Sequence, residues 1–250
     1  MKRIAISTTL ATLLCAAAAA AQDAPRPTVV MGQYMRCNQG QEARADEIAR
    51  TVWGPVAQKQ VDAGRLTGWM WLTHVQGGAW RRVFVTTGAD LDAMMDATAQ
   101  MVEEIRGKHA AAAAELGTVC PGHDDYIWTS VANSSSNPVT TAGPASIATY
   151  YVCDASREQR ANEIFVQLMA PLYKKHTDMG HLAGWAFYAH RSGGQFRRLE
   201  TFSGTDHRTL LKMQDAIYQE AQQLDPLAFN EFRQVCSSHT DYMWTRMIQR

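Results

Sequence analysis

Two histidines and two arginines are the residues of this 250-residue chain best spaced for chemistry. His74 lies three residues before Gly77-Gly78 and Arg81 three residues after it, and His190, Gly193-Gly194 and Arg197 repeat the arrangement. If each glycine pair is a two-residue hairpin turn, His74 stands opposite Arg81 and His190 opposite Arg197. Directly opposed residues share a sheet face, so each pair sets a titratable imidazole beside an anion-binding guanidinium. The plainer reading is a polar pair at a hairpin end, repeated because the segments are copies. Tyr126 and Trp128, like Tyr242 and Trp244, alternate along a strand and share a face, while Trp69 and Trp185 each follow a glycine. These aromatics suit a pocket for a planar or apolar ligand, or a core. His123 and His239 read as loop residues. With neither a Cys-x-x-Cys pair nor a tight Cys/His cluster, the sequence calls for no metal and no cofactor.

The elements that hold these residues occur twice. Sliding the chain over itself by 116 positions matches Cys37 with Cys153, Gly68-Trp69 with Gly184-Trp185, Arg81-Arg82 with Arg197-Arg198, and Cys120 with Cys236. Without a gap, 30 of the 95 pairs from Tyr34 to Trp128 are identical, which marks a duplicated module. The boundaries expected are 28–129 for the first module, 130–147 for a Ser/Thr/Pro-rich linker and 148–248 for the second.

Within a module the periodicity predicts a strand at Val29–Arg36, then a helix from Glu42 to Ala63 on the spacing of Ile48, Val52 and Val56. Pro55 and Pro171 should kink these helices, and Gly64 and Gly180 should end them. Aromatic and β-branched runs at 66–75 and 80–87 predict two hairpin strands. Asp90 and Asp206 are placed to cap a second helix, and a short last strand is expected at Asp125–Trp128. The order is that of a ferredoxin-like βαββαβ unit, whose sheet needs a cover on one face.

That order, with the stretch from Trp53 to Trp69 (Trp-x-Pro-Val, then Gly-Arg-Leu-Thr-Gly-Trp) and its partner from Met169 to Trp185, resembles the dimeric α+β barrel superfamily, in particular uncharacterised exported bacterial members. The resemblance implies an α+β fold in which two ferredoxin-like modules pair sheet to sheet as an intramolecular barrel. It also brings in cofactor-independent monooxygenases and haem-handling enzymes, but the helix histidine of the latter is not duplicated: His176 and His181 face Gln60 and Arg65. In this topology the first strand ends beside the start of the last. The expected disulfides are therefore Cys37 with Cys120 and Cys153 with Cys236.

Met1-Lys2-Arg3 followed by an uncharged, alanine-ending run to Ala21 reads as a signal peptide, cleaved after Ala21, with Cys15 lost alongside it. The chain has 24 Lys+Arg and 24 Asp+Glu, and loss of Lys2 and Arg3 leaves 22 against 24. Such a near-neutral, mixed chain lacks the electrostatic footprint of a nucleic-acid binder, and no later segment is apolar enough to span a membrane. The expectation is a soluble periplasmic or secreted monomer that binds a small molecule or serves as an accessory protein. The alternative is a cofactor-independent monooxygenase-like enzyme acting on an aromatic or quinol-like substrate.

Overall fold

The computed structural model describes residues 28–135 and 143–249. The expected signal peptide and the middle of the expected linker lie outside the described residues. The first module runs β1 (Val29–Arg36), α1 (Glu42–Ile48), a π-helical turn (Ala49–Trp53), α2 (Gly54–Asp62), β2 (Gly68–Gly77), β3 (Arg82–Gly88), α3 (Leu91–Lys108), α4 (Ala110–Val119) and β4 (Gly122–Asn133). The second repeats it as β5 (Ala145–Val152), α5 (Glu158–Ile164), a π-helical turn (Phe165–Met169), α6 (Ala170–Asp178), β6 (Gly184–Ser192), β7 (Arg198–Gly204), α7 (His207–Leu224), α8 (Pro226–Val235) and β8 (Ser238–Gln249).

Local chemistry explains these boundaries. The Asp90 carboxylate accepts from the Ala93 N–H at 2.8 Å and Asp206 from the Thr209 N–H at 2.9 Å, capping α3 and α7. Gly64 and Gly180 follow α2 and α6 with φ of +71° and +76°, a conformation that a Cβ disfavours. Pro55 and Pro171 do not simply kink one long helix. Each sits in the first turn of α2 or α6, directly after a π-helical turn. There the Gly54 and Ala170 N–H groups reach back five residues to Ala49 and Phe165, which makes room for a residue that cannot donate.

Each module has the strand order β4-β1-β3-β2 or β8-β5-β7-β6, and β2 pairs with β8 while β4 pairs with β6. The two sheets therefore close one eight-stranded antiparallel barrel within a single chain, which removes every sheet edge. Three expectations change here. The last strands are 12 residues long rather than four, because their distal halves pair across the module boundary: Trp128 with His190, and His74 with Trp244. Strand also reaches into both ends of the stretch expected as linker, β4 to Asn133 and β5 from Ala145. The hairpins are wider than two residues. The end of β2 turns to β8, leaving residues 78–81 as the loop.

Alternation along the strands gives three apolar layers. In each module the helices cover the outer sheet face, over clusters that include Trp69, Trp71 and Phe84 in one and Trp185, Phe187 and Phe202 in the other. The third layer fills the barrel lumen, with Tyr34, Trp80, Tyr126, Trp128, Tyr150, Tyr188, Phe196, Tyr242 and Trp244. Disulfides Cys37–Cys120 and Cys153–Cys236, each spanning 83 positions, tie the end of the first strand to the start of the last. By chain entropy each contributes about 4.5 kcal/mol. Among the described residues no helix is long and apolar enough to cross a membrane.

Candidate functional site

The duplicated His, Gly-Gly and Arg motif lies at one mouth of the barrel. His74 packs edge-on against Tyr242 and Trp244, with ring centroids 6.1 and 5.8 Å away, and His190 does the same with Tyr126 and Trp128 at 6.1 and 6.0 Å. Arg197 Nη1 lies 2.8 Å from His190 Nδ1 and also binds Glu158, while Arg81 approaches Glu42 at 3.5 Å. An arginine only donates, so Nδ1 accepts and the His190 proton sits on Nε2. Burial, and then the neighbouring arginine, hold both imidazoles below the usual histidine range.

The glycines receive the aromatic side chains. A Cβ on Gly78 would lie 2.5 Å from the Tyr242 hydroxyl, and one on Gly194 would lie 2.5 Å from that of Tyr126. Each module's hairpin thus receives the tyrosine of the other module's last strand. Between the two histidines run Trp80, Tyr34, Tyr150 and Phe196 in ring contact. The repeated polar residues close the barrel around a packed aromatic plug.

The aromatic candidates separate. Tyr126 and Tyr242 face the lumen, stacked on Trp128 and Trp244. Trp69 and Trp185 lie under the helices, Trp69 donating to Gln58 Oε1 at 3.0 Å and Trp185 stacked on Tyr173. His123 and His239 are exposed beside Asp125 and Asp241. His176, the helix imidazole, lies 3.1 Å from His181 and 3.5 Å from Glu220.

A different set of residues forms the site in the second module. Glu200 on β7 points outward from the barrel beneath α6 and α7 and is 1% exposed. Tyr173 of α6 donates to its Oε1, and Tyr151 of β5 to Oε2 at 2.5 Å. Tyr218 of α7 donates to Oε2 at 3.2 Å and also lies 3.2 Å from the Tyr151 hydroxyl. Burial raises the proton affinity of Glu200, the three hydroxyls offset part of that, and Asp241 adds to it. Burial, and then the charge of Glu200, push Tyr151 and Tyr173 well above the ordinary tyrosine value.

Glu200, Tyr151 and Tyr218 border a cleft of about 810 Å³ between α7, α8 and the sheet. Phe165, Met169, Phe229 and Phe232 give it apolar walls, and Gln214, Gln219, Gln222, Asn230 and Gln234 give it an amide rim. A carboxylate has about four acceptor positions. The tyrosines occupy three, leaving one for a ligand hydroxyl or N–H. His176 is not among the residues that line this cleft.

Sequence reasoning passed over this site because the positions differ between the copies. Glu200, Tyr151, Tyr173 and Tyr218 correspond to Phe84, Met35, Ala57 and Val102, of which the first three belong to the apolar layer of the first module. The signal was a charged residue at an apolar strand position, with tyrosines replacing Met35 and Ala57 around it.

No family model and no curated protein sequence matches the chain. Solved structures do. An anthrone oxidase-like protein matches at 12% identity and a TM-score of 0.56, over 90% of this chain and 93% of its own. A putative monooxygenase from Fusobacterium nucleatum matches at 9% and 0.57, over 90% and 94%. A mutant chlorite dismutase from Candidatus Nitrospira defluvii matches at 11% and 0.55, over 88% and 92%. At these identities the likeness is one of fold alone, and it agrees with the closed barrel of two ferredoxin-like halves: the architecture is that of a dimeric α+β barrel with both halves in one polypeptide.

Proposed function

We propose that this chain is an extracytoplasmic small-molecule-binding protein whose ligand sits in the cleft of the second module, its hydrogen-bond donor against Glu200 and its planar apolar body among Phe165, Met169, Phe229 and Phe232. One observation carries the reading: a carboxylate is buried beneath three tyrosine hydroxyls beside a roomy cleft, in only one of the two modules. Burying such a group costs several kcal/mol unless it is well paired, and the first module does without it. Two disulfides agree with a periplasmic or secreted setting.

A second reading, an oxygenase that needs no cofactor, rests on the same carboxylate. Its raised proton affinity suits a general base. Taking a proton from a phenol or quinol hydroxyl leaves the electron-rich anion that a cofactor-free reaction with dioxygen requires.

Calorimetry with 1,4-dihydroxynaphthalene as probe tests both. Binding should weaken at least tenfold in Glu200→Gln, which exchanges an acceptor for an amide, and oxygen uptake faster than the probe's own autoxidation and lost in Glu200→Gln would select the enzymatic reading. A wild-type chain that binds the probe no better than Glu200→Gln overturns the assignment of the cleft.

A further inference from the structure

The turn that ends α6 carries two histidines where the first module has a glutamine and an arginine. Gly180 takes φ +76°, and the chain folds back so that the His181 N–H bonds to the His176 carbonyl at 2.9 Å. The two imidazoles then meet, Nδ1 of one 3.1 Å from Nδ1 of the other. The first module makes the same turn: the Arg65 N–H bonds to the Gln60 carbonyl at 2.9 Å, and Arg65 Nε donates to Gln60 Oε1 at 2.6 Å. A neighbouring ion pair is also common to both modules, Lys59 with Glu104 and Lys175 with Glu220. Only the imidazole pair is new in the second copy, and neither the turn nor the ion pair needs it.

Nitrogens 3.1 Å apart have the spacing of two ligands on one metal ion. With metal–nitrogen bonds of about 2.05 Å, that spacing subtends about 100° at the metal, between the ~90° of a tetragonal site and the ~109° of a tetrahedral one. A linear two-coordinate ion would need the nitrogens about 4 Å apart.

Each imidazole is placed for that task. His176 turns Nε2 toward Glu220 Oε2 at 3.5 Å, which favours the tautomer with its proton on Nε2 and its lone pair on Nδ1. A carboxylate behind the ring orients a ligating histidine and raises its basicity, and Glu220 is itself fixed by Lys175 on Oε1 at 2.6 Å. His176 is buried, whereas His181 is exposed and its ring is free to turn. The His181 proton moves from Nδ1 to Nε2 through solvent, and the freed lone pair joins that of His176 on the ion. The carbonyl end of α6 lies at the same place, where the helix dipole favours a cation. Among the described residues no group of three or more His, Cys, Asp and Glu is placed to hold a metal, so water completes the coordination. Imidazole suits copper(II), nickel(II) and zinc(II), and affinity among these is highest for copper(II).

We infer that His176 and His181 form a two-histidine site for a divalent transition ion, copper(II) above zinc(II), open to solvent at the end of α6. The site is separate from the Glu200 cleft, whose lining residues include neither histidine.

Calorimetric titration of the tag-free chain with copper(II) and with zinc(II), alongside electron paramagnetic resonance of the copper complex, tests this. The expected result is a copper equivalent that shows two imidazole nitrogens and binds at least tenfold more tightly than zinc. The double variant His176→Gln with His181→Arg installs the first module's pair, so it should keep the fold and lose that equivalent. Copper held at the exposed His123 and His239 would survive in the double variant, so the difference between the two chains is what counts. Glu220→Gln should weaken binding by about tenfold, and Glu200→Gln should leave it unchanged. Copper binding that is equal in the parent and the double variant, a spectrum with a single nitrogen ligand, or zinc bound as tightly as copper would each overturn the inference.

Discussion

Tyr173→Phe removes one hydroxyl from the Glu200 cluster and leaves the ring, which packs against Phe165, Trp185 and Phe202 at 5.9, 5.6 and 5.7 Å. The lost bond is the one made to Oε1. A hydrogen bond to a charged group contributes about 1.5–3 kcal/mol. Because the bond is stronger to the carboxylate than to the neutral acid, its loss raises the Glu200 pKa further. The sign for stability follows from linkage. The folded-state value already stands above the unfolded reference of 4.5, so between the two the native state holds the extra proton and stability falls as pH rises. Tyr173→Phe extends that decline to higher pH. Above its new value the variant should be about 1.5–3 kcal/mol less stable than the parent. Below 4.5, where Glu200 is protonated in both states, the deficit should shrink to the roughly 0.5–1.5 kcal/mol of a neutral bond. Urea denaturation from pH 4 to pH 8, alongside a carbon-13 titration of the Glu200 carboxyl, measures both quantities. A deficit independent of pH, or a carboxyl that titrates lower in the variant, refutes the view that these hydroxyls hold a buried charge.

Two predictions concern barrel closure. Gly193 has φ +134°, and a Cβ there would lie 2.5 Å from the Tyr126 ring and 2.6 Å from the Asp125 carbonyl oxygen. Gly193→Ala should therefore cost about 1–3 kcal/mol, whereas Gly107→Ala, in the open on α3, should stabilise by about 0.5–1 kcal/mol; thermal unfolding of both variants reads the contrast. His74 and His190 have lowered native pKa values, so below about pH 6.5 the unfolded state takes up protons first and stability falls with acidification, by up to about 1.4 kcal/mol per pH unit for each residue. In the double variant His74→Gln with His190→Gln that part of the slope should vanish, and an unchanged difference curve between pH 5 and 6.5 would show that these imidazoles do not feel their burial.

What could be read from the sequence divides along the comparison of its halves. The pairs shared between copies carry out tasks both copies must perform. Asp90 and Asp206 cap helices, and Cys37 and Cys153 tie strands. Arg44 with Glu115 and Arg160 with Glu231 bridge the same pair of helices in each module. Gly78 and Gly194 receive the opposite module's tyrosine. Fold, strand order and disulfides were legible for that reason, and the same signal drew attention to His74 and His190, which pack against the other module's Tyr and Trp at the barrel mouth. Two details escaped because they depend on contacts between modules: the length of β4 and β8, which their cross-module partners set, and the width of the hairpins, which opens where β2 turns to β8. The cleft escaped for the opposite reason. A half-barrel folds with Phe84, Met35 and Ala57 beneath its helices, so folding alone does not require Glu200, Tyr151 and Tyr173 at the same positions. A buried ionisable group that the architecture does not need, and that its twin lacks, is best explained by what it binds. In a duplicated chain the unmatched polar positions are therefore the ones to search for a site, once the matched ones have accounted for the fold.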